Sequence, residues 1–222
     1  MTLEEIRKEI DAIDPKIRAL LMERLDCAYR VAEAKNISGD LRVYRPDREE
    51  EILARLSEEV PESKKAGYLA VVRKIMQASR MYQYGLLYDW NEGLFDPLIG
   101  DITVPGNASR VRVRLSRPDR PNSMSEILSM IGDYGYNMEL MELTEVNREE
   151  GTVTFELTIL GNLNETNMKK LMFQLSMESL KFSIEDVGEC RNASAFLPRR
   201  AWCEAPSFLR VYLISKETGI VR

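Results

Sequence analysis

The sequence contains no histidine, and this absence limits the chemistry that is open to its 222 residues. Catalysis by a Ser-His-Asp or Cys-His group and a histidine-based zinc site are both excluded. What remains is catalysis by carboxylates, by lysine or by positioned charges.

Cysteine and long apolar runs are also scarce. Cys27, Cys190 and Cys203 are scattered without CxxC spacing, which argues against a disulfide framework or a thiolate metal site and predicts reduced, mostly buried thiols. No run of about 18 apolar residues occurs and the N-terminus is acidic, so we expect a cytoplasmic protein with neither a signal peptide nor a membrane span. The net charge of -5 gives no support for nucleic-acid binding.

What the chain does contain, from its start, is a long amphipathic helix. Thr2-Leu3-Glu4-Glu5 is a capping box and predicts a helix from Thr2 to about Lys35. Pro15 predicts a kink or strained turn within it rather than a stop. At about 1.5 Å per residue the helix is about 50 Å long, so we expect a partner helix of similar length. Apolar residues recur along it at three- and four-residue steps: Ile6, Ile10, Ile13, Ile17, Leu20, Leu21, Ala28, Val31 and Ala32.

Three cations are spaced along this helix. Arg24 and Lys35 are eleven residues apart, so they lie within roughly 20° of each other and could bind one anion. Arg7 lies roughly 100° round the helix from Arg24, a position from which it could serve the pocket of a second copy. The alternative for any one of them alone is an ordinary solvated charge.

Two further helices are predicted after Gly39 and its neighbouring turn formers end the first one. The second covers residues 46–59 and starts at Pro46, and the third covers residues 63–90. In the third helix, Ser79 and Gln83 point from the same face because they are four residues apart. A helix-helix hydrogen bond is the alternative role for this pair.

Together these residues resemble the all-helical, intertwined-dimer class of chorismate mutase over residues 3–90. The resemblance implies a homodimeric, all-α enzyme with long, short and long helices that rearranges chorismate to prephenate in phenylalanine and tyrosine biosynthesis. It also implies that no metal or cofactor is needed. The matching motifs are Ile-Arg-Lys-Glu-Ile-Asp-Ala-Ile-Asp (6–14), Glu-Arg (23–24), Ala-Lys (34–35), Val-Tyr-Arg-Pro-Asp-Arg-Glu (43–49) and Ser79-x-x-x-Gln83.

The resemblance also implies which cations bind the dianionic substrate. Arg24 and Lys35 would hold the side-chain carboxylate, and Arg7 of the partner subunit would take the ring end. Arg48 would brace the acidic groups. Such charges suit a reaction that moves no proton, because the enzyme has only to fold the substrate and stabilise growing negative charge.

The same resemblance assigns the polar contacts. Lys35 and Gln83 would donate to the ether oxygen, and Ser79 would help to position the ring carboxylate. Glu49 would bind the ring hydroxyl. Arg45 departs from the family pattern, since many members have an acid at that position, and this raises a question about affinity.

Residues 91–108 are rich in Gly, Pro, Asn and Asp and are predicted to be a linker between a domain at 1–90 and one at 109–190. Beyond the linker the apolar period changes from 3.6 to 2. The predicted order β-α-β-β-α-β is that of an α+β, ferredoxin-like sandwich. Its elements are strands at 109–116, 137–146, 151–160 and 180–187 and helices at 123–134 and 164–178.

This second domain is similar to an ACT regulatory domain of the type attached to prephenate dehydratase. Arg117-Pro-Asp-Arg-Pro121, a helix and then Gly135-Tyr-Asn137 carry the likeness. Such domains pair through their sheets and bind an amino acid at the dimer interface. The effector residues implied are Asn122, Ser123 and Met124, which replace the usual Gly-Ala-Leu, and Glu142, the one residue kept of the usual Glu-Ser-Arg-Pro. Three roles stay open: a dimerisation module, a phenylalanine sensor, or a sensor of another amino acid such as tyrosine.

The leading hypothesis is a chorismate mutase with an ACT-like domain. The competing one is a catalytically weak mutase-fold dimeric scaffold whose ACT-like domain senses an amino acid and regulates a partner enzyme. The full set of polar site residues favours the enzyme, because buried cations are costly to desolvate. We also expect the chain to stop at prephenate, because an 18-residue linker cannot hold a dehydratase domain. Residues 191–222 are predicted to be a loosely ordered extension of unknown role.

Overall fold

A computed structural model describes residues 2–91 and 93–189 of the chain. We call residues 2–91 the helical half and residues 93–189 the α/β half. The prediction for the 191–222 tail lies outside the described residues, as do Cys190 and Cys203. Among the residues that are described, no helix is long and apolar enough to cross a membrane.

The first helix, α1, runs from Leu3 to Ser38 and passes through Pro15 without ending. The capping box at its start is present: the Glu5 amide donates to the Thr2 hydroxyl at 3.3 Å, and the Thr2 amide donates to the Glu5 carboxylate at 2.6 Å. Gly39, in the left-handed conformation at φ 71°, ends the helix. The helix is therefore three residues longer at its C-terminal end than predicted.

Helices α2 (Pro46–Ser57) and α3 (Glu62–Trp90) complete the predicted long, short and long layout. Arg24 bonds to Ser79, and the side chains of Asn36 and Asn91 meet at 2.8 Å. Asn36 follows Arg24 in the chain, and its partner Asn91 follows Ser79 by the same number of residues. Helices α1 and α3 therefore run in the same direction. The short α2 returns the chain between them.

The apolar stripe of α1 is only partly covered by its own chain. Ala28 and Ala32 are buried, at 5% and 0% exposed. Ile10, Ile13 and Ile17, nearer the start, are each about half exposed, at 50%, 49% and 49%. Cys27 is a free thiol and is exposed, so the expectation that the cysteines are mostly buried is wrong for this residue.

The segment predicted as a linker contains a short helix, α4 (Asp96–Ile99). Phe95, just before it, is 3% exposed and belongs to the main apolar core of the α/β half. The predicted linker is rich in Gly and Pro, but its apolar side chains pack against the core of the sheet that follows. The domain boundaries on either side of it stay a prediction.

The α/β half has the predicted βαββαβ order, and each boundary lies within two residues of its expected place. The strands form one antiparallel sheet in the order β2-β3-β1-β4, which is the ferredoxin-like arrangement. Helices α5 and α6 bury one face of this sheet over a core that includes Val113, Leu157 and Leu171. The elements are β1 (Arg110–Pro118), α5 (Ser123–Asp133), β2 (Asn137–Asn147), β3 (Thr152–Leu160), α6 (Thr166–Met177) and β4 (Lys181–Gly188).

The two halves pack together where α3 meets α6. Tyr84 and Leu87 of α3 and Phe173 of α6 are all buried in a second apolar cluster with Val43. The rings of Tyr84 and Phe173 meet edge to face, 5.8 Å apart between centroids. This contact brings polar side chains of α6 close to the candidate site.

Candidate active site

The first group of predicted residues meets between α1 and α3. Arg24 donates from Nη1 to the Ser79 hydroxyl across the two helices. One turn further along α3, the Gln83 amide donates from Nε2 to the Ser79 carbonyl at 3.1 Å. Ser79 and Gln83 are buried, and within the described chain the Gln83 Oε1 has no hydrogen-bond partner. The spacing of four residues therefore does place both polar groups on the side of α3 that faces Arg24.

Lys35, near the end of α1, is held by the loop that follows. Its ammonium donates to the Arg42 carbonyl at 2.7 Å and lies 3.3 Å from the Asp40 carboxylate. Asp40 also pairs with Arg45 at 2.6 Å. The Arg42 backbone amide, followed by Lys35 and Arg45, lowers the pKa of Asp40. Arg45, the departure from the family pattern, is thus balanced by an acid from earlier in the same loop.

Glu49, in the first turn of α2, is paired with a residue that the sequence reasoning missed. Arg80 Nη1 lies 2.6 Å from both carboxylate oxygens of Glu49. The Arg80 side chain is 6% exposed, whereas that of Glu49 is 24% exposed. Burial raises the pKa of Glu49 although the Arg80 charge opposes the shift. The sequence signal that could have identified Arg80 was its place directly after Ser79 on α3, where a cation lies on the buried side of the helix.

Arg80 is also bound from the α/β half. Its Nε donates to Glu178 Oε1 at 3.0 Å, and Gln174 Nε2 donates to the same oxygen at 2.9 Å. The Tyr134 hydroxyl in turn donates to Gln174 Oε1 at 3.1 Å. Burial acts to lower the pKa of Arg80, but Glu178 and Glu49 together raise it, so the guanidinium stays charged. A buried polar chain therefore links α6 to Glu49.

Tyr44, in the loop before α2, is enclosed by cations of both halves. The guanidinium carbons of Arg80, Arg117 and Arg120 lie 4.6, 5.7 and 5.8 Å from the centre of its ring. Arg120 also donates to the Tyr44 hydroxyl, and the Tyr44 amide donates to the Tyr84 hydroxyl. Arg117 and Arg120 belong to the motif that resembles the ACT domain. No pattern in the sequence predicts a contact between this motif and the helical half.

Within one chain, Arg48 and Arg7 do not contact Arg24, Ser79 or Gln83. Arg48 is exposed and lines a groove of about 420 Å³ with Tyr44 and Arg45. Arg7 is exposed on α1 and has no ion-pair partner among residues 2–91 and 93–189. Seventeen residues of helix separate it from Arg24, a rise of about 25 Å.

The four predicted effector residues also lie in two separate places: three at the start of α5 and one on β2. Asn122 has a φ of 74° and precedes α5, Ser123 is buried and donates to the Pro118 carbonyl at 2.7 Å, and Met124 is exposed. Glu142 lies opposite Glu156 on β3, in line with the middle of β1. It is two strands and four residues away from the end of β1, or more than about 10 Å. One chain does not bring Glu142 to the α5 N-terminus.

Comparison with known proteins decides the class of the helical half. Residues 6–84 match the family model for chorismate mutase type II. The helical half is a chorismate mutase type II domain. The matched range spans α1, α2 and most of α3. All of the proposed substrate contacts of the mutase domain fall within it.

A curated relative points the same way. The chain is 46% identical over 61 residues to a bifunctional chorismate mutase/prephenate dehydratase of Aquifex aeolicus. This alignment covers 26% of the present chain and 17% of that relative, so the chain spans only a small part of its length.

Two solved structures resemble the chain at 16% identity and a TM-score of 0.39 each. One is a prephenate dehydratase in complex with L-Phe from Arthrobacter aurescens, which matches over 54% of this chain and 40% of its own. The other is GqqA, described as a novel type of quorum quenching acylase, which matches over 44% of this chain and 52% of its own. Likeness at this score carries no functional conclusion.

Proposed function

We propose that the chain is a chorismate mutase, which converts chorismate to prephenate and acts as a homodimer. One observation carries the proposal: within the segment that matches the family, Arg24 of α1 reaches Ser79 of α3, one turn from the buried Gln83. This arrangement gathers a cation, a hydroxyl and an amide at one point between two helices.

The chemistry asks for these groups and little else. The substrate is a dianion that rearranges within itself, so no proton moves and no covalent intermediate forms. The enzyme has to fold the substrate into its reactive form and stabilise negative charge on the ether oxygen. A millionfold acceleration corresponds to about 8 kcal/mol, which positioning and two preorganised donors can supply.

On substrate binding, the site residues would replace their present hydrogen-bond partners within the protein with groups of the substrate. Arg24 would turn from the Ser79 hydroxyl, and Lys35 from Asp40, to the side-chain carboxylate. The Gln83 amide would rotate so that its N–H group points at the ether oxygen and its unpaired Oε1 finds a donor. Glu49 can stay on Arg80, since its partly exposed carboxylate has acceptor positions left for the ring hydroxyl.

Two features of α1 support the homodimer. Its first half exposes an isoleucine row that a second helix would cover, at about 1 kcal/mol for each half-exposed side chain buried. Arg7 is also too far along α1 to reach Arg24 of its own chain. A second copy would supply both the cover and the missing cation.

For the α/β half we propose an amino-acid effector role alongside its structural one. The sheet order supports an ACT-like unit. Because Glu142 lies apart from the α5 N-terminus in one chain, an effector site that uses both has to form between two copies.

The proposal is tested by following the loss of chorismate absorbance with purified protein. We expect turnover by the wild type and its loss in Lys35→Ala, with Lys16→Ala, another cation of α1, as the matched control. Absence of wild-type turnover at micromolar enzyme would contradict the proposal and favour the scaffold. Turnover that ignores added phenylalanine and tyrosine would remove the effector role.

The absence of dehydratase activity stays a prediction. It is checked by supplying prephenate and measuring phenylpyruvate. We expect none above the uncatalysed rate, and formation that scales with enzyme would contradict it.

A further inference from the structure

We propose that Arg80 is a positioning residue of the mutase site and that Glu178, supplied by the α/β half, holds Arg80 in place. The inference rests on the proposed mutase activity. It assigns a part in that activity to a residue outside the matched segment 6–84.

The first step is the geometry of the guanidinium. Its Nη1 faces Glu49 of α2, and its Nε faces Glu178 at the C-terminal end of α6. The Tyr44 ring covers the plane, with the guanidinium carbon 4.6 Å from its centre. Because a guanidinium is planar and rigid, two carboxylates on different edges and a ring on its face leave it one orientation.

The second step is what this orientation does for Glu49. The Glu49 carboxylate faces Arg80 of α3, and it also feels the negative charges of Glu178, directly after α6, and of Glu126 on α5. A half-buried carboxylate among like charges would turn to solvent without a cation to hold it. Arg80 therefore keeps Glu49 at the site while its exposed edge is free to accept from a ligand hydroxyl.

The third step is the burial of Glu178. Its side chain is 0% exposed, and Oε1 accepts from both Arg80 and Gln174. A buried carboxylate is costly to desolvate unless it is paired, and Arg80 is its one ion-pair partner in the described part of the chain. Glu178 thus anchors the side of Arg80 that Glu49 does not reach.

Glu178→Gln tests the anchor, because it keeps the shape and a carbonyl acceptor but removes the charge. Lys170→Met is the matched control, since the pair of Lys170 with Asp89 joins the same helices, α6 and α3, at 2.7 Å. We expect Glu178→Gln to raise KM about tenfold, as for loss of one charge-assisted hydrogen bond, with kcat nearly unchanged. A merely structural role would instead lower the amount of folded enzyme, and so kcat, without changing KM.

A double-mutant cycle tests whether Arg80 acts through Glu49. Arg80→Lys keeps the positive charge but cannot span both carboxylates, so KM should rise in the wild-type background. In the Glu49→Gln background the same change should have little further effect. Additive losses, or higher activity in Arg80→Lys, would overturn the inference.

The outcomes separate this inference from the proposed function. No turnover by the wild-type chain defeats the proposed function, and the inference falls with it. Wild-type turnover with equal KM values for Glu178→Gln and Lys170→Met defeats the inference alone.

Discussion

At the scale of single residues, the cations of the mutase domain differ in what holds them. The helical angle places Arg24 and Lys35 on one face, but only Arg24 reaches across to α3. Lys35 lies in the last turn of α1, where the returning loop offers a carbonyl and the Asp40 carboxylate. A sequence gives the angle of a residue on its helix, whereas the nearest acceptor depends on the path of the loop.

The pKa of Glu49 predicts an acid limb in the pH dependence of the activity. Burial raises this pKa, so protonation begins at a higher pH than for an ordinary glutamate. In the proposed site the ionised Glu49 carboxylate would accept from the ring hydroxyl, and kcat/KM should therefore fall as the pH decreases through the raised value. We expect Glu49→Gln to have a lower kcat/KM that no longer shows this limb. The limb is measured by chorismate loss from pH 4 to 8 in buffers of constant ionic strength, about 0.1 M, and an unchanged limb in the variant would contradict the assignment.

At the scale of elements, local sequence signals predicted every described helix and strand except α4. The capping box at Thr2, Pro46 at the start of α2 and the change of apolar period after residue 108 each predict an element that is present. These signals act over a few residues, because caps and periodic burial depend on near neighbours. The end of α1 was placed too early, since a polar stretch before a left-handed glycine can stay helical.

Two glycines provide a stability test of these elements. Gly161, between β3 and α6, has a φ of 154°, and a Cβ there would lie 2.5 Å from the end of Met168 and 2.8 Å from the Tyr136 ring. Gly161→Ala should therefore lower the free energy of unfolding by about 1–3 kcal/mol. Gly132, inside α5, has nothing within 4 Å, and Gly132→Ala should raise it by about 0.5–1 kcal/mol. Urea unfolding measures both, and equal effects would contradict this account.

At the scale of the whole molecule, the mutase domain is joined to the α/β half by more than a linker. Tyr84 and Phe173 form an apolar contact, and Arg80 and Glu178 form a buried ion pair beside it. Arg80, which binds Glu49, is thus held by a residue of each half.

Mixing two inactive variants tests the shared site of the proposed dimer. Arg7→Ala and Arg24→Ala chains, exchanged at equal concentration, should recover about a quarter of wild-type activity, since half of the dimers are mixed and each has one intact pocket. A chain with both changes is the control, because it should inactivate the wild-type chains that it pairs with. Activity is followed by chorismate loss after exchange is complete. No recovery in the first mixture would contradict the role of Arg7 across the interface.

The sequence by itself determined the elements other than α4, the βαββαβ order and the proposed substrate contacts, because caps, apolar periods and motif spacing are local. It also predicted that Ser79 and Gln83 share a face, since helical geometry fixes that. Only the tertiary structure decided that Arg80 holds Glu49 and that Glu178 holds Arg80. Arg80 lies 31 positions from Glu49 and 98 positions from Glu178, and these pairings depend on how α3 packs on α2 and against the end of α6, which no local pattern records.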